Sequence, residues 1–316
     1  MDFGKADDPA AVDWSLPVDP AITAHTLAGL RDREAGARPE RRLLIGSTGW
    51  GQRGFVGVVY PRGTKPGAYL QAYGAQFDCI ELNATFYRVP DRRQALKWYA
   101  AVPDDFRFCP KVNQGITQAA GLALDTSRTL DFAKAVQAFE HKLGPCFAQL
   151  PSTFGADQLD TLRVWLDAWP PQLRLAVELR HESWFGTSAG ADAFAELAAR
   201  ELGAVITDVG GRRDAAHMVV TTDFAMLRWV GNVHTTDEPR MRAWLERLRA
   251  WYAGGLRTAY VFVHQPEEAP GATSAARFGE LAARALEGLD VRLRYPRVVG
   301  GGSPGAEPRV RQSELF

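Results

Sequence analysis

Glu81 and Asn83 stand two residues apart at the end of one apolar run, and Glu178 and Arg180 stand two apart at the end of another. Lys111 closes FRFCPKV, Gln149 lies in PCFAQLP, Asp208 in AVITDVG, Arg228 in AMLRWVG, and His264 with Gln265 end TAYVFVHQ. Carboxylates beside cations and an imidazole are the material of general acid/base chemistry around an anion. Burial would push one carboxyl pKa up and a cationic neighbour would hold the other down, dividing acid from base. On this reading Glu81 or Glu178 is the acid/base, with Lys111, Asp208 and His264 as further catalytic groups. Lys111 and Arg180 would stabilise an anionic group on the substrate, and Trp50, Tyr87 and Trp184 would stack on it. Asn83, Gln149, His181 and Arg228 complete the expected binding set. A metal site built from Glu81, Glu178, Asp208 and His264 is chemically reasonable, but no short-range ligand spacing supports it. Neither a metal nor a cofactor is expected.

The elements that must position these groups are legible as an alternation. Eight short β-branched or aromatic runs, each ending in a polar residue, lie between Leu43 and Gln265: 43–50, 77–86, 106–112, 145–151, 173–180, 204–210, 225–231 and 258–265. Runs of this length bounded by turn residues suit strands buried on both faces. Between them, 91–101, 125–143, 157–169, 191–202, 238–252 and 274–286 carry apolar residues at helical spacing, several opened by Asp or Ser as an N-cap. The first crossover, 66–76, is the shortest. Eight βα units joined by right-handed crossovers predict a (β/α)8 TIM barrel, one domain of the α/β class over 41–295. An open doubly wound sheet is the alternative, but no glycine-rich dinucleotide fingerprint follows an early strand. In such a barrel the reacting groups come from the C-terminal ends of the strands, where all of the residues above fall. An acid and an arginine two apart in an apolar strand must pair or lie at the rim, because an uncompensated buried charge is costly. The same residues also fit an ion-pair layer with rim aromatics and no chemistry.

Composition narrows the classes. The chain has 316 residues, 46% of them hydrophobic, enough for a full core. Lys+Arg and Asp+Glu both number 37, so net charge makes no case for a nucleic-acid or membrane partner; a local basic patch stays open. Cys79, Cys109 and Cys146 sit inside expected strands without metal-ligand spacing and read as reduced core thiols. An acidic start without an apolar h-region and no ~20-residue apolar stretch point to a cytoplasmic protein. Residues 1–40 lack sustained periodicity and are expected to form an irregular arm, anchored by Trp14 and Leu16. Residues 296–316 read as a flexible Gly/Pro tail ending QSELF.

GSTGW from Gly46, ELNATFYRVP from Glu81, the run ending at Val112, QLPSTF from Gln149 and VELRHESW from Val177 resemble the motifs of domain-of-unknown-function family 72, the YecE-like family. The resemblance spans Leu43 to Leu286 and implies a TIM barrel with a cleft around Glu81, Asn83, Tyr87, Lys111, Gln149, Glu178, Arg180, His181 and Trp184; it implies no reaction. Three strand ends depart from the family pattern. Thr117-Gln118 stands where the family has Thr-His, Arg228-Trp229-Val230-Gly231 where it has Arg-x-His-Gly, and His264-Gln265 where it has paired Asn.

Two functions from different classes follow. One is an enzyme of hydrolase or lyase type acting on a phosphorylated, sugar-like or nucleobase-bearing substrate. The other is a DNA-repair-associated interaction protein: Gln312, Leu315 and Phe316 resemble the Gln-x-x-Leu-Phe peptide that docks into the bacterial sliding clamp, with two apolar anchors and one hydrogen bond. The two are compatible.

Overall fold

In the computed structural model, which describes residues 4–33, 40–122 and 126–299, eight parallel strands form a nearly closed barrel. They are β1 (Arg41–Ser47), β2 (Cys79–Leu82), β3 (Arg107–Pro110), β4 (Cys146–Gln149), β5 (Leu175–Glu178), β6 (Gly203–Asp208), β7 (Phe224–Val230) and β8 (Thr258–His264). The hydrogen-bonded order runs β3-β2-β1-β8-β7-β6-β5-β4, and β3 meets β4 through the bridges Phe108 to Leu143 and Lys111 to Phe147. The barrel is the expected class, and the open sheet is set aside.

The helices around it are α1 (Ala21–Arg33), α2 (Tyr69–Gln76), α3 (Ala84–Tyr87), α4 (Arg92–Ala100), α5 (Gln114–Thr117), α6 (Thr126–Val136), α7 (Leu159–Asp167), α8 (Ser188–Ala199), α9 (Asp237–Gly254) and α10 (Glu268–Ala285). Side-chain caps start three of them where the sequence offers the residue: Asp91 accepts from Gln94 N ahead of α4, Asn113 from Gly115 N ahead of α5, and Thr187 from Gly190 N ahead of α8. α10 begins at Glu268, earlier than the periodicity from Ser274 predicts; Pro270 falls in its first turn, where a missing N–H costs no intrahelical bond.

Strand parity divides the core in two. Leu43, Ile45, Ile80, Val177, Ile206, Leu227 and Val261 face the helices, while Leu44, Cys79, Cys109, Phe147, Ala176, Val205, Met226 and Phe262 fill the barrel. Cys79, Cys109 and Cys146 are buried and free, the first two inside the barrel and the third under the helices. Gly46 lets β1 and β2 approach: a Cβ there would lie 2.5 Å from the Cys79 carbonyl oxygen.

Three features correct the sequence reading. Only a 3-10 turn, Arg213–Ala215, interrupts the connection from β6 to β7, so the sixth unit has no helix of its own. Its place is filled from the N-terminal segment, expected to be irregular, which folds as α1. Thr23 Oγ1 donates to Met218 O at 2.8 Å and accepts from Val220 N at 2.9 Å, and Leu27 and Leu30 are buried. Asp19, just before α1, accepts from Trp251 Nε1 of α9 at 2.9 Å. Trp14 anchors the arm as expected, its ring 3.7 Å from the Arg240 guanidinium carbon, and Leu16 packs on the core. A ninth strand, β9 (Val291–Arg294), was not among those expected; it pairs in parallel with the first half of β1, while β2 takes the second half. Among the described residues no helix is long and apolar enough to cross a membrane.

Candidate functional site

Inward-facing positions at the ends of β2 and of β4 to β8, with Lys111 just past β3, build one polar layer at the C-terminal mouth. Arg228 of β7 stands opposite Thr207 of β6, and Gln149 of β4 opposite Glu178 of β5. Glu81, Lys111 and His264 complete the layer. Immediately below lie Phe147, Val205, Met226 and Phe262, so water is excluded on the barrel side.

Arg228 is the centre of the layer and is wholly buried. Its Nε donates to Glu81 Oε2 at 2.9 Å and its Nη2 to Glu81 Oε1 at 3.0 Å, while Nη1 donates to Glu178 Oε2 at 3.0 Å. A planar fork suits this double bridge as a lysine could not. Glu81 also takes His264 Nε2 at 3.0 Å and the Asn83 amide at 3.0 Å. Glu178 also takes Arg180 Nε at 2.7 Å and Gln149 Nε2 at 2.9 Å. Gln149 passes the chain on, since its Oε1 accepts from Lys111 Nζ at 2.9 Å. The Lys111 ammonium lies over the Phe86 ring, 4.2 Å from its centroid.

Burial pushes both carboxyls up and the cations override it. Arg228 and His264 hold Glu81 well below the usual carboxylate range, and Arg180 and Arg228 hold Glu178 at about 2. Burial and then Arg228 push Lys111 down to about 8, against the pull of Glu81 and Glu178. The division of acid and base between the two glutamates expected from sequence is therefore not what the environment produces. Both are ionised, and Lys111 is brought down toward neutrality.

Exposure orders the layer. Glu81 and Arg228 are 0% exposed and Glu178 1%, whereas Lys111, Gln149 and His264 are 7–8% exposed, with Asn83 and Arg180 more open still. Nearly every group nearer the solvent can donate a hydrogen bond, and the anions lie beneath. Both carboxylates are occupied by arginine and amide donors, so a metal ion would have to displace Arg228 from them.

Of the residues expected at the site, Glu81, Asn83, Lys111, Gln149, Glu178, Arg180, Arg228 and His264 converge. Arg228, expected as a substrate ligand, is sealed between the carboxylates. Asp208 is not brought in. It pairs in register with Trp229, one step out of phase with Arg228, and so faces the helices, where Arg240 donates at 2.9 Å, Trp244 at 2.8 Å and Arg213 also pairs. Trp184 is buried, its Nε1 donating to Phe154 O at 2.7 Å, and Trp50 packs edge-on to Trp98 of α4. Tyr87 is exposed, with its neighbour Phe86 the ring that meets Lys111. His181 Nδ1 accepts from Ser183 N at 3.1 Å and caps a turn. The sequence reading missed Phe86 and Thr85 and left Asn113 without a role. Thr85 Oγ1 lies 2.7 Å from Lys111 O, and the Asn113 amide donates to Thr85 O and Phe86 O at 3.1 and 3.0 Å, fastening α3 over β3. Their place inside or beside ELNATFYRVP and FRFCPKV was the available signal.

The departures from the family pattern fall around this layer. Gln118 Nε2 donates to Gln149 O at 3.0 Å, and Gln265 bonds Asp237 and Ser274 at 3.0 and 2.9 Å outside the barrel. Gln312, Leu315 and Phe316 lie outside the described residues.

Residues 44–297 match the model of the family described as protein of unknown function DUF72. The UPF0759 protein YecE of Escherichia coli K12 is 28% identical over 268 residues, 78% of this chain and 92% of that protein. The UPF0759 protein YunF of Bacillus subtilis 168 is 30% identical over 150 residues, 45% of this chain and 52% of that protein. A crystal structure of a DUF72 family protein from Enterococcus faecalis V583 superposes with a TM-score of 0.59 at 18% identity, covering 84% of this chain and 100% of that one, and so shares the fold.

Proposed function

This chain belongs to the DUF72 family, and from that premise and the geometry of its mouth we propose an enzyme of hydrolase or lyase type acting on a small anionic substrate. The chemical class is a phosphorylated, sugar-like or nucleobase-bearing molecule. One observation carries the reading: Arg228 bridges both carboxylates below, and the groups on the solvent side of it, Lys111, Arg180, His264 and Asn83, are donors that bond the layer's own oxygens and line its open side. Three cations, Lys111, Arg180 and Arg228, share the layer with two carboxylates, Glu81 and Glu178, so an entering anion meets a surplus of positive charge in a low-dielectric site. In this reading Glu81 and Glu178 orient the cations and Lys111 exchanges the proton.

The test is calorimetric titration of inorganic phosphate and simple sugar phosphates into the full chain and into Lys111→Met and Arg180→Met. Affinity should fall by ~10-fold or more in each variant, the loss of one charge-assisted contact. A wild-type chain that binds no phosphate-bearing ligand overturns the reading. An NMR screen of sugar phosphates and nucleotides then tests turnover, which Lys111→Met should abolish.

A second reading rests on the spacing of Gln312, Leu315 and Phe316 after a Gly/Pro stretch: tethering to a sliding clamp in DNA repair. Leu315→Ala with Phe316→Ala should weaken tail-peptide binding to the clamp by ~100-fold, as loss of two apolar anchors does. No binding by the unaltered peptide sinks it.

A further inference from the structure

We infer that Lys111 forms an imine with its substrate, which makes the substrate class an aldehyde or ketone carrying a carboxylate or phosphate. The inference rests on the anion-binding reading of the mouth and deepens it.

Lys111 is placed unlike a salt-bridge lysine. Its Nζ donates to a neutral amide oxygen, Gln149 Oε1 at 2.9 Å, and meets Glu178 only through that amide. The face of Phe86 lies 4.2 Å from it, and Phe147 lies beyond at 6.0 Å. Both carboxylates that could have fixed it as an ammonium are already taken up by Arg228, which stands in the same layer and repels it. A buried amine with an arginine behind it and, among the described residues, no direct carboxylate partner is relieved by losing its proton, and the cation–π attraction of the Phe86 face only partly offsets this. Burial and Arg228 bring it down to about 8, so the neutral amine is accessible near neutral pH. The remaining lysines of the chain, Lys5, Lys65, Lys97, Lys134 and Lys142, lie outside this layer.

The step balances without an external reagent. The neutral amine's lone pair attacks the carbonyl carbon, the carbonyl π pair moves to oxygen, and one amine proton passes to that oxygen to give a carbinolamine. The C–O bond then breaks and the oxygen leaves as water, taking one further proton from the medium, while the nitrogen lone pair closes the C=N bond and the nitrogen keeps its last hydrogen. The protonated imine that results withdraws electrons from the neighbouring carbon, which is the chemistry of a lyase. Arg180, at the open edge of the layer and close enough to act on the Lys111 charge, would hold the substrate's anionic group.

The experiment uses the unmodified full chain. Glyoxylate and, separately, glyceraldehyde 3-phosphate are added with sodium cyanoborohydride, and adducts are mapped to each of the chain's lysines by peptide mass spectrometry. The expected result is modification of Lys111 ~10-fold or more faster than any other lysine, rising with pH up to about 8 and slowed by inorganic phosphate. Uniform labelling of all lysines, or an unlabelled Lys111 in a chain that binds phosphate, overturns the imine and leaves the anion-binding mouth standing. No labelling and no phosphate binding overturns both.

Discussion

Arg228 and Glu81 meet edge to edge, Nε 2.9 Å from Oε2 and Nη2 3.0 Å from Oε1, with neither side chain exposed to solvent. The remaining edge of the same guanidinium reaches Glu178, so one cation bridges carboxylates from β2 and β5 across the barrel mouth. Such a pair is weak evidence for stability as a unit, yet breaking it is expensive, because the partner charge is left buried.

Arg228→Met should therefore destabilise the chain by ~3–5 kcal/mol or more, measured by urea unfolding. Adding Glu81→Gln and Glu178→Gln should recover much of the loss. A single-variant cost under ~1 kcal/mol would show that water reaches the carboxylates.

Acid should unfold the protein through the same groups. Glu178 sits at about 2 in the fold against 4.5 for the free side chain, and Glu81 is shifted the same way. Between those pH values the unfolded chain takes up protons that the folded chain refuses. The contribution is complete above pH ~4.5 and is lost as pH falls toward about 2. Melting temperature followed over that range should fall more steeply for wild type than for Glu178→Gln; parallel curves would contradict the assignment.

Lys111 has the opposite dependence. Its folded value of about 8 lies below the free 10.5, so from pH 8 to 10.5 the unfolded chain binds the proton more readily and stability rises with pH. Below pH 8 the fold carries a penalised ammonium. Lys111→Met should melt higher than wild type at pH 7, with an advantage that shrinks through that window, while losing activity. A lower melting temperature at pH 7 would mean that the Gln149 contact outweighs the burial penalty.

The N-terminal segment should behave as part of the barrel. Leu30→Ala in α1 should cost ~2–5 kcal/mol, the range for a buried leucine in a core. Gly255→Ala should also destabilise: φ is +121° there, and a Cβ would lie 2.6 Å from Leu27 O. Costs under ~1 kcal/mol for both would return α1 to the status of a loose arm.

The alternation of apolar runs and helical spacing is written in contiguous residues, so the barrel class and the mouth as the candidate site follow from the sequence with no knowledge of contacts. Parity along a strand likewise places Glu81 with Asn83 and Glu178 with Arg180. What joins these groups lies far off in the chain. Arg228 reaches Glu81 across 147 positions, and His264 across 183, through strand registers that only the closed barrel sets. Register by one residue turned Asp208 to the helices while its neighbour Thr207 faces inward. The missing sixth helix left a gap that the segment before β1 could fill, although α1 has no marked apolar stripe of its own; its helical state is owed to burial against α9 and the 217–223 connection. The charge states were likewise beyond the sequence. They depend on how far burial raises a carboxyl and how many guanidinium edges lower it again, and both terms exist only once the strands have closed.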